Sequence, residues 1–490
     1  MVLRSTSQSA PDRERVAGVE VSSDEAAIET PPDVGTSRTF GAHVAPARHR
    51  RRAMSRKGNL VALPVVVFQI VAVIVFSTIT IMHYPLWSPV DEGAHFDNIV
   101  YIAEHGSYPV LGKALASEQE LAIGKGVYPK RTTVNPRTDG LAGLSYEAFQ
   151  PPLYYYLATP LFFVTGNYHS KAIVLRFFGL FLLAVSIALF ARLSRHVLKE
   201  RWLLGLAGGL VVFLMPGIIV RMVTISNLNL AVPLSILTVT ELWITWQRRS
   251  SLRLLGCGFL VGCGVLTDLY LVELVPVLAL VVIAVLRRNR RTRDLLNAVS
   301  AAVIAGLTVL PWLIFNEIKY HSLTASAIAK REQVAIVNPN HVHDTIGQIP
   351  GLTVQSLFQP LLPQEWDVRF IGHSPWAYLA SIFQILLIPG AVVLTVALGR
   401  RLALTGYWLL IAPWACNLVV CWYIDVGQQW VTGSMVARYT YPTLPFIGLF
   451  IVAAILVLFR AIRPLVTSIC ASSAFLIGLW VFLVPNIHAT

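Results

Sequence analysis

The sequence predicts an all-α membrane protein, a polytopic bundle of about eleven transmembrane helices. Of its 490 residues, 55% are hydrophobic and only 13% are charged, which leaves too little polar surface to coat a water-soluble globule of this length. Apolar runs of about twenty residues, long enough to cross a hydrocarbon core of roughly 30 Å, recur along the chain. Short basic clusters separate alternate runs, an arrangement typical of loops on the two sides of a membrane.

The net charge of +13 is explained by the same clusters. A nucleic-acid-binding protein gathers Lys and Arg on one solvent-facing surface, whereas here they lie between apolar runs. We therefore expect membrane lipid, and no nucleic acid, around this charge. All five cysteines fall inside apolar runs, so neither a disulfide framework nor a zinc site is predicted.

Residues 1–58 are rich in Ser, Pro, Ala and charge and contain no apolar run. We expect them to form a disordered basic cytoplasmic tail, followed by one transmembrane domain over residues 59–490. The predicted single spans are Leu60–Met82, Ala172–Ala191, Trp202–Val220, Leu228–Trp246, Leu295–Phe315, Trp376–Leu398, Leu402–Tyr423, Tyr441–Phe459 and Leu465–Val484.

One further apolar run, Leu252–Leu286, is too long for a single span. At 1.5 Å per residue it would extend about 50 Å, and arginines flank both of its ends. The run is therefore predicted to form a tight hairpin of two short helices with Asp268 at its tip.

The basic clusters follow every second predicted span, as the positive-inside rule requires of cytoplasmic loops. The alternation indicates about eleven spans in the cytoplasmic membrane, with the N-terminus in the cytoplasm and the C-terminus outside. Two external loops, about 84–171 and 316–375, are then the large ones, so the function is expected at the outer face.

The segment Pro151–Val164 is apolar enough to suggest a twelfth span. Counting it would invert every later loop and move the later basic clusters to the outside, against the positive-inside rule. We therefore expect it to lie along the outer surface or dip into it. The two prolines at its start suit a helix N-terminus, where missing amide donors cost little.

The first candidate site follows the first span, in "SPVDEGAH". Asp91, Glu92, His95 and Asp97 would crowd three carboxylates and an imidazole at the membrane boundary, with Asp91, His95 and Asn98 on one helix face. Neighbouring carboxylates raise one another's pKa, which suits a general base, and they can also hold a divalent cation. The alternative is that Asp91 and Glu92 only cap a surface helix.

A second group lies in "YEAFQPPLYYY". Glu147 and Gln150 precede the predicted surface helix, and Tyr154 begins a run of three tyrosines. Tyrosines at this depth also occur as a simple aromatic belt, and Glu147 could be a solvated loop residue.

Cations are scarce on the predicted outer side, so each is informative. Arg176 and Arg221 lie near outer helix ends, where an arginine either extends to lipid headgroups or faces the bundle and binds a phosphate. Arg438 has the same two interpretations. The outer cations include Lys171, Arg176, Arg221, Lys319, Lys330, Arg331, Arg369 and Arg438.

Three more carboxylates need interpretation. Asp268 is either a turn residue or a further acidic ligand. Glu241 and Glu273 lie deeper, and carboxylates inside a membrane are candidates for function.

Several motifs together resemble the GT-C superfamily of integral-membrane glycosyltransferases, in particular its bacterial protein-mannosyltransferase-like and aminoarabinose-transferase-like branches. "SPVDEGAH" is similar to the acidic motif of that superfamily's first external loop, and "QPPLYYYL" to the start of its juxtamembrane helix. "PWLIFNEIKYHSLTA", which contains Lys319, and "ARYTYPTLP", which contains Arg438, look like later stretches of uncharacterised relatives.

The resemblance implies a GT-C-like fold that takes a sugar from a polyprenyl-phosphate-type donor and transfers it to a lipid or glycan acceptor. It implies Asp91 as catalytic base or metal ligand and Glu92 as its partner. It implies Arg176 or Arg438 on the carrier phosphate, with His95, Asp97, Glu147, Gln150, Tyr154 and Lys319 as further substrate-binding candidates. Asp91 and Glu147 would be the ligands of a divalent cation, Mg or Mn, if one is used.

Two departures from the relatives' pattern bear on the donor phosphate. Asp268 stands where relatives often have lysine, and "SNLNL" at 226–230 lacks an acidic residue often found there. After the last span no soluble domain follows, so the acceptor is expected to be small or lipid-bound. The alternatives to a glycosyltransferase are a transporter or flippase of lipid-linked saccharides and a non-enzymatic envelope-assembly protein, although no internal repeat of the transporter kind is found.

Overall fold

The computed structural model describes residues 45–87, 91–111, 146–289, 291–325, 390–427, 439–459 and 462–483. Residues 51–490 form one compact unit; residues 1–50 form a separate unit, of which only residues 45–50, the start of the first helix, are described. All regular secondary structure in these ranges is helical, which confirms the predicted all-α class. Residues 45–58, within the predicted tail, belong to the first helix.

Fourteen α-helices form the fold in the described ranges, joined in places by short 3₁₀ turns. They are α1 (Ala45–His83), α2 (Glu92–His105), α3 (Leu153–Ala158), α4 (Tyr168–Leu198), α5 (Trp202–Phe213), α6 (Pro216–Val223), α7 (Leu228–Arg248), α8 (Arg253–Val265), α9 (Leu274–Asn289), α10 (Thr292–Tyr320), α11 (Arg400–Thr405), α12 (Trp408–Gly427), α13 (Leu444–Leu458) and α14 (Ile462–Leu483). Residues 390–398 are helical as well.

Six segments in the described ranges are long and apolar enough to cross a membrane, so the chain is a helical membrane protein. They are Asn59–His83, Tyr168–Phe213, Leu228–Arg248, Leu269–Asn289, Thr292–Tyr320 and Ile462–Val481. Three shorter apolar helices, Arg253–Val265, Trp408–Cys421 and Leu444–Leu458, coincide with other predicted spans. The predicted span Trp376–Leu398 begins outside the described residues, and most of the predicted loop 316–375 lies outside them too. The number of membrane spans, about eleven, therefore stays a prediction.

The long apolar run after residue 252 does fold as the predicted hairpin. Helix α8 ends at Val265, a 3₁₀ turn covers Leu269–Glu273, and α9 returns from Leu274. Asp268 lies at the tip, where its Oδ1 accepts a hydrogen bond from the Tyr270 amide at 2.9 Å. A carboxylate that satisfies the first amide of a turn stabilises the reversal, which agrees with the turn interpretation of Asp268.

The apolar segment after Pro151 forms α3 and a 3₁₀ turn, Thr159–Phe163. Together these residues extend only about 16 Å, half of a hydrocarbon core, so the segment does not cross as a helix. Phe163 and Val164 stay 67% and 64% exposed, as expected of side chains that face lipid. The Leu153 amide donates to the Leu266 carbonyl at 2.9 Å, which attaches α3 to the hairpin tip.

The core has two main parts. The larger cluster fills the space between the membrane helices, with α5 against α13 and α4 against α7. A smaller cluster packs α2 on α3 and on the first turns of α4, around Phe96, Ile99 and Tyr155. This smaller cluster fixes the start of α2, and with it Asp91, against one end of the helix bundle.

The predicted intramembrane carboxylate Glu241 is paired near a helix end. Its Oε2 accepts a hydrogen bond from Arg253 Nη1 at 2.9 Å, and its Oε1 accepts one from Arg192 Nη2. Both arginines are more than one-third exposed. Glu241 therefore joins α4, α7 and α8 at the surface and needs no functional explanation.

Candidate functional site

Asp91 occupies the turn into α2 in an uncommon backbone conformation. Its φ of 73° and ψ of −4° lie in the left-handed region, which Asp and Asn tolerate better than other non-glycine residues. Its carbonyl accepts the first helical hydrogen bond, from the His95 amide at 2.9 Å. Its side chain makes no cap hydrogen bond to α2, so the alternative of a simple helix cap does not describe Asp91.

Asp91 lines an open pocket, whose empty space, open solvent included, is about 250 Å³. The pocket combines carboxylates, an imidazole, a guanidinium and amides drawn from α2, the turn before α3, α6, the start of α7 and the segment before α13. Its lining residues are Asp91, His95, Glu147, Gln150, Arg221, Ser226, Asn227, Leu228 and Tyr439. Four of the predicted site residues, Asp91, His95, Glu147 and Gln150, thus lie together although up to 59 positions separate them.

Glu92, the other half of the predicted acidic pair, forms a buried ion pair instead. Arg176 donates from Nε to Glu92 Oε1 at 2.8 Å and from Nη2 to Oε2 at 2.6 Å, and neither side chain is exposed. The remaining guanidinium donors bind the carbonyls of Tyr84 at 2.6 Å, Pro85 at 3.1 Å and Ile81 at 3.4 Å. Every nitrogen of Arg176 is thus engaged by protein, and Arg176 does not line the pocket.

Glu92 also accepts two backbone hydrogen bonds. The Trp87 amide donates to Oε2 at 3.1 Å and the Ile225 amide donates to Oε1 at 3.1 Å. The Glu92–Arg176 pair therefore joins the end of α1, the start of α2, helix α4 and the loop before α7. Its geometry is that of a structural clamp directly beside Asp91, rather than of a base and a phosphate ligand.

Among the described residues, the Lys or Arg that lines the pocket is Arg221 of α6. Its side chain is buried and lines the same pocket as Asp91. From the sequence, Arg221 could either extend to lipid headgroups or face the interior of the bundle. In the structure it faces the interior. A guanidinium in such a pocket suits a phosphate ligand, because it presents several donors in one plane.

His95 is held by a buried tyrosine. Its Nδ1 lies 2.7 Å from the Tyr155 hydroxyl, which is completely buried. Burial, with added effects of Tyr108 and Glu147, raises the pKa of Tyr155 well above its ordinary value. The phenol therefore keeps its proton at neutral pH and can hold the imidazole in one orientation.

The tyrosine run is core rather than aromatic belt at two of its three positions. Tyr154 and Tyr155 are fully buried in the small cluster, and only Tyr156 is half-exposed. Burial raises the pKa of Tyr154 as well. Tyr154 does not line the pocket, so nothing in its position brings it to a substrate there.

Glu147 and Gln150 enter the pocket from a short 3₁₀ turn, Tyr146–Phe149. The Asn98 amide donates to the Glu147 carbonyl at 2.9 Å and ties this turn to α2. The Tyr108 hydroxyl donates to the Gln150 carbonyl at 2.7 Å. Both turn residues are thereby fixed through their backbones, and both line the pocket.

Sequence reasoning missed the contribution of the "SNLNL" stretch. Ser226, Asn227 and Leu228 line the pocket, whereas the stretch had been noted only for lacking an acidic residue. The sequence did contain a signal for this contribution, because polar Ser and Asn residues interrupt two apolar runs at the predicted outer boundary.

Three predicted substrate-binding residues lie elsewhere. Asp97 is buried in α2 and Lys319 is exposed near the end of α10, and neither lines the pocket. Arg438 lies outside the described residues, although its neighbour Tyr439 is a pocket residue.

The described residues contain no group of three or more His, Cys, Asp or Glu side chains able to hold a metal ion. The predicted metal ligands Asp91 and Glu147 share the pocket. Mg²⁺ commonly binds through one or two carboxylates, with waters and substrate phosphates as its other ligands, so a divalent cation at Asp91 and Glu147 stays a prediction.

Comparison with known proteins gives distant structural neighbours only. No family profile and no curated protein matches the chain. The oligosaccharyltransferase of Archaeoglobus fulgidus, in complex with Zn and sulfate, is 14% identical over 84% of this chain and 53% of its own, with a TM-score of 0.43. The same organism's AglB, in complex with an inhibitory peptide and a dolichol-phosphate, is 12% identical over 86% and 56%, with a TM-score of 0.43.

ArnT from Cupriavidus metallidurans bound to undecaprenyl phosphate is 14% identical over 80% of this chain and 76% of its own, with a TM-score of 0.37. The chain thus spans about half the length of the archaeal chains it matches. These neighbours are GT-C membrane glycosyltransferases, the superfamily that the sequence motifs resemble. At identities below 25% and TM-scores below 0.5 they carry no argument about chemistry.

Proposed function

We propose that this chain is a GT-C-type glycosyltransferase. It moves a sugar from a polyprenyl-phosphate-type lipid donor to an envelope acceptor on the outer face of the cytoplasmic membrane. The observation that carries the proposal is that Asp91 and Arg221 line the same pocket, at the end of the membrane helices. A carboxylate base and a phosphate-binding cation are the two groups that sugar transfer from a lipid phosphate requires.

The chemistry assigns one role to each of these residues. Asp91 accepts the proton of the acceptor hydroxyl as that oxygen bonds to the anomeric carbon. The bond between the anomeric carbon and the carrier oxygen breaks, and its electron pair stays on the phosphate. Arg221 offsets the negative charge that develops there. The transferred sugar leaves on the acceptor, and the lipid phosphate remains.

The other pocket residues are assigned to substrate contacts. His95, Glu147 and Gln150 have the hydrogen-bonding groups that sugar hydroxyls need, and they line the pocket beside Asp91. Glu92 and Arg176 are assigned a positioning role, because their charged groups are fully engaged with each other and with backbone. The phosphate role first predicted for Arg176 passes to Arg221, and that of Arg438 stays a prediction. Asp97, Tyr154 and Lys319 receive no substrate role.

The depth of the pocket agrees with a lipid-borne donor. The segment from the start of α3 to Val164 exposes three apolar side chains, Leu157, Phe163 and Val164, and it is attached to the hairpin tip. Apolar side chains exposed at a membrane boundary sit among headgroups and acyl chains. A polyprenyl phosphate places its charge at that depth, within reach of Arg221. No step of the proposal runs through a divalent cation.

The test is complementation of a strain that lacks the gene, with product analysis of envelope glycans and lipid-linked sugars. Asp91→Asn keeps a residue that tolerates the left-handed turn but removes the base. We expect it to accumulate the lipid-linked donor as the deletion does. The control, Glu317→Gln, removes an exposed carboxylate near the end of α10 and should restore the wild-type profile.

Three outcomes would contradict the proposal. An Asp91→Asn strain with a wild-type glycan profile would remove the role of Asp91. Accumulation of the lipid-linked sugar on the cytoplasmic side, protected from an impermeant oxidant, would indicate a flippase. An unchanged profile in the deletion strain would favour the assembly protein.

A further inference from the structure

A chain of amide hydrogen bonds runs along one side of the pocket. Asn227 Nδ2 donates to the Thr267 carbonyl at 3.1 Å and to Gln150 Oε1 at 3.3 Å. Asn227 is 3% exposed and Gln150 is 8% exposed, and both line the pocket. Thr267 lies at the tip of the α8–α9 hairpin, so these hydrogen bonds link three separate segments of the polypeptide.

The Thr267 carbonyl fixes the direction of the whole chain. A backbone carbonyl oxygen can only accept, so the Asn227 amide must turn its nitrogen toward it. The second hydrogen of the same nitrogen then points at Gln150, which must accept it with its side-chain oxygen, Oε1. The orientation of both side-chain amides therefore follows from the chemistry of one backbone atom, and it needs no assumption about amide flips.

The consequence is a donor that faces the pocket. With Oε1 bound to Asn227, the Gln150 nitrogen is turned away from Asn227, and no described residue accepts a hydrogen bond from it. The pocket also contains the Arg221 guanidinium and the carboxylates of Asp91 and Glu147, and these carboxylates oppose the approach of an anionic ligand. A neutral amide donor beside them can bind a ligand oxygen without adding charge.

We propose that Asn227 is a positioning residue that fixes Gln150 as a hydrogen-bond donor toward a ligand oxygen, either of the carrier phosphate or of the sugar. The inference rests on the proposed function and deepens it, because it states what kind of ligand group this side of the pocket selects. A ligand that presents an N–H at this position is excluded. The link to Thr267 also makes the hairpin tip part of the specificity of the pocket.

Two substitutions remove the donor by different routes. Asn227→Asp has the same shape but no N–H, so Gln150 turns its nitrogen toward the new carboxylate and its oxygen toward the pocket. Gln150→Glu keeps the bond from Asn227 and places a carboxylate oxygen in the pocket directly. The control, Asn316→Asp, breaks a similar amide-to-carbonyl bond, from Nδ2 to the Leu323 carbonyl at 2.9 Å, outside the pocket.

The first measurement is binding of undecaprenyl phosphate, and of an undecaprenyl-phosphate-linked sugar, to purified full-length variants. We expect Asn227→Asp and Gln150→Glu to weaken binding about tenfold each, since the donor to the ligand is lost. Asn316→Asp should bind like wild type. Weaker binding of both ligands assigns the amide to the phosphate; weaker binding of the sugar-bearing ligand alone assigns it to the sugar. If Asn227→Asp binds both ligands like the control while Gln150→Glu does not, the positioning role is wrong.

The second measurement needs no ligand. At pH 8 the double variant Asn227→Asp with Gln150→Glu sets two carboxylates side by side, so its melting temperature should fall by more than the sum of the single variants. At pH 5 one shared proton should restore most of that loss. Additive losses at pH 8 would overturn the amide chain. A wild-type protein that binds neither polyprenyl ligand, but shows this coupling, would refute the proposed function and leave the amide chain intact.

Discussion

At the scale of single residues, the most consequential contact is the buried pair of Glu92 and Arg176. Removing one partner of a fully buried ion pair leaves the other charge without compensation and costs about 3–5 kcal/mol. We therefore expect Glu92→Gln and Arg176→Met to lower the melting temperature and the membrane abundance of the protein strongly. Arg176→Lys should rescue little, because a single ammonium cannot serve both carboxylate oxygens and three carbonyls.

The contrast is Glu241, which is paired with two arginines that are more than one-third exposed. Exposed ion pairs contribute about 0–1 kcal/mol, so Glu241→Gln should leave the melting temperature nearly unchanged. If Glu92→Gln and Glu241→Gln lowered the melting temperature equally, the pair of Glu92 and Arg176 would not be a structural clamp.

Tyr155 gives a second prediction at this scale. Its hydroxyl holds His95 Nδ1 at 2.7 Å, and its raised pKa keeps it protonated at neutral pH. Tyr155→Phe keeps the buried ring and removes the hydroxyl, with its hydrogen bonds to His95 and to the Asn98 side chain, so we expect transfer to slow about tenfold and stability to fall by about 1–3 kcal/mol. Tyr156→Phe, on the half-exposed neighbour, is the matched control. A Tyr155→Phe enzyme with wild-type turnover would mean that the orientation of His95 does not matter.

At the scale of helices, the α8–α9 hairpin packs on α10 through a glycine. A Cβ on Gly258 would lie 2.1 Å from the Ala301 carbonyl oxygen, whereas a Cβ on Gly256, half a turn away, meets nothing within 4 Å. Gly258→Ala should therefore force the helices apart and destabilise the protein by about 1–3 kcal/mol. Gly256→Ala should be neutral or stabilising, because alanine favours the helix. Thermal melting of the two variants decides, and equal melting temperatures would contradict the close approach.

Helices were also the level at which the sequence was most informative. The hairpin followed from the length of one apolar run and its flanking arginines, and the surface position of α3 followed from charge parity. Both depend on local properties, namely hydrophobic length and the sign of nearby charge. The partner of Arg176 could not be found in this way, because Glu92 lies 84 positions away and only packing brings them together. The same holds for Asn227, whose hydrogen-bond partners lie 40 and 77 positions away.

At the scale of the whole molecule, orientation decides whether the pocket can work at all. Asp91 and Arg221 would meet a lipid-linked sugar and an envelope acceptor only if this end of the bundle faces outward. The positive-inside rule predicts that orientation from the basic clusters near the ends of α4, α7 and α9. Helix α4, with 31 residues, is about 46 Å long and separates the pocket end from the first of these clusters by more than a hydrocarbon core.

Cysteine labelling at the two ends of α4 tests this orientation. Thr165 precedes α4 on the pocket side and His196 lies in its last turn, and labelling of each cysteine variant in detergent gives its intrinsic reactivity. The variants need a background without the five native cysteines, one of which, Cys470, is exposed. We expect an impermeant maleimide to label Thr165→Cys in intact cells and to label His196→Cys only after the membrane is permeabilised. The reverse pattern would place the pocket in the cytoplasm, where an outer-face transfer from a lipid-linked donor could not occur.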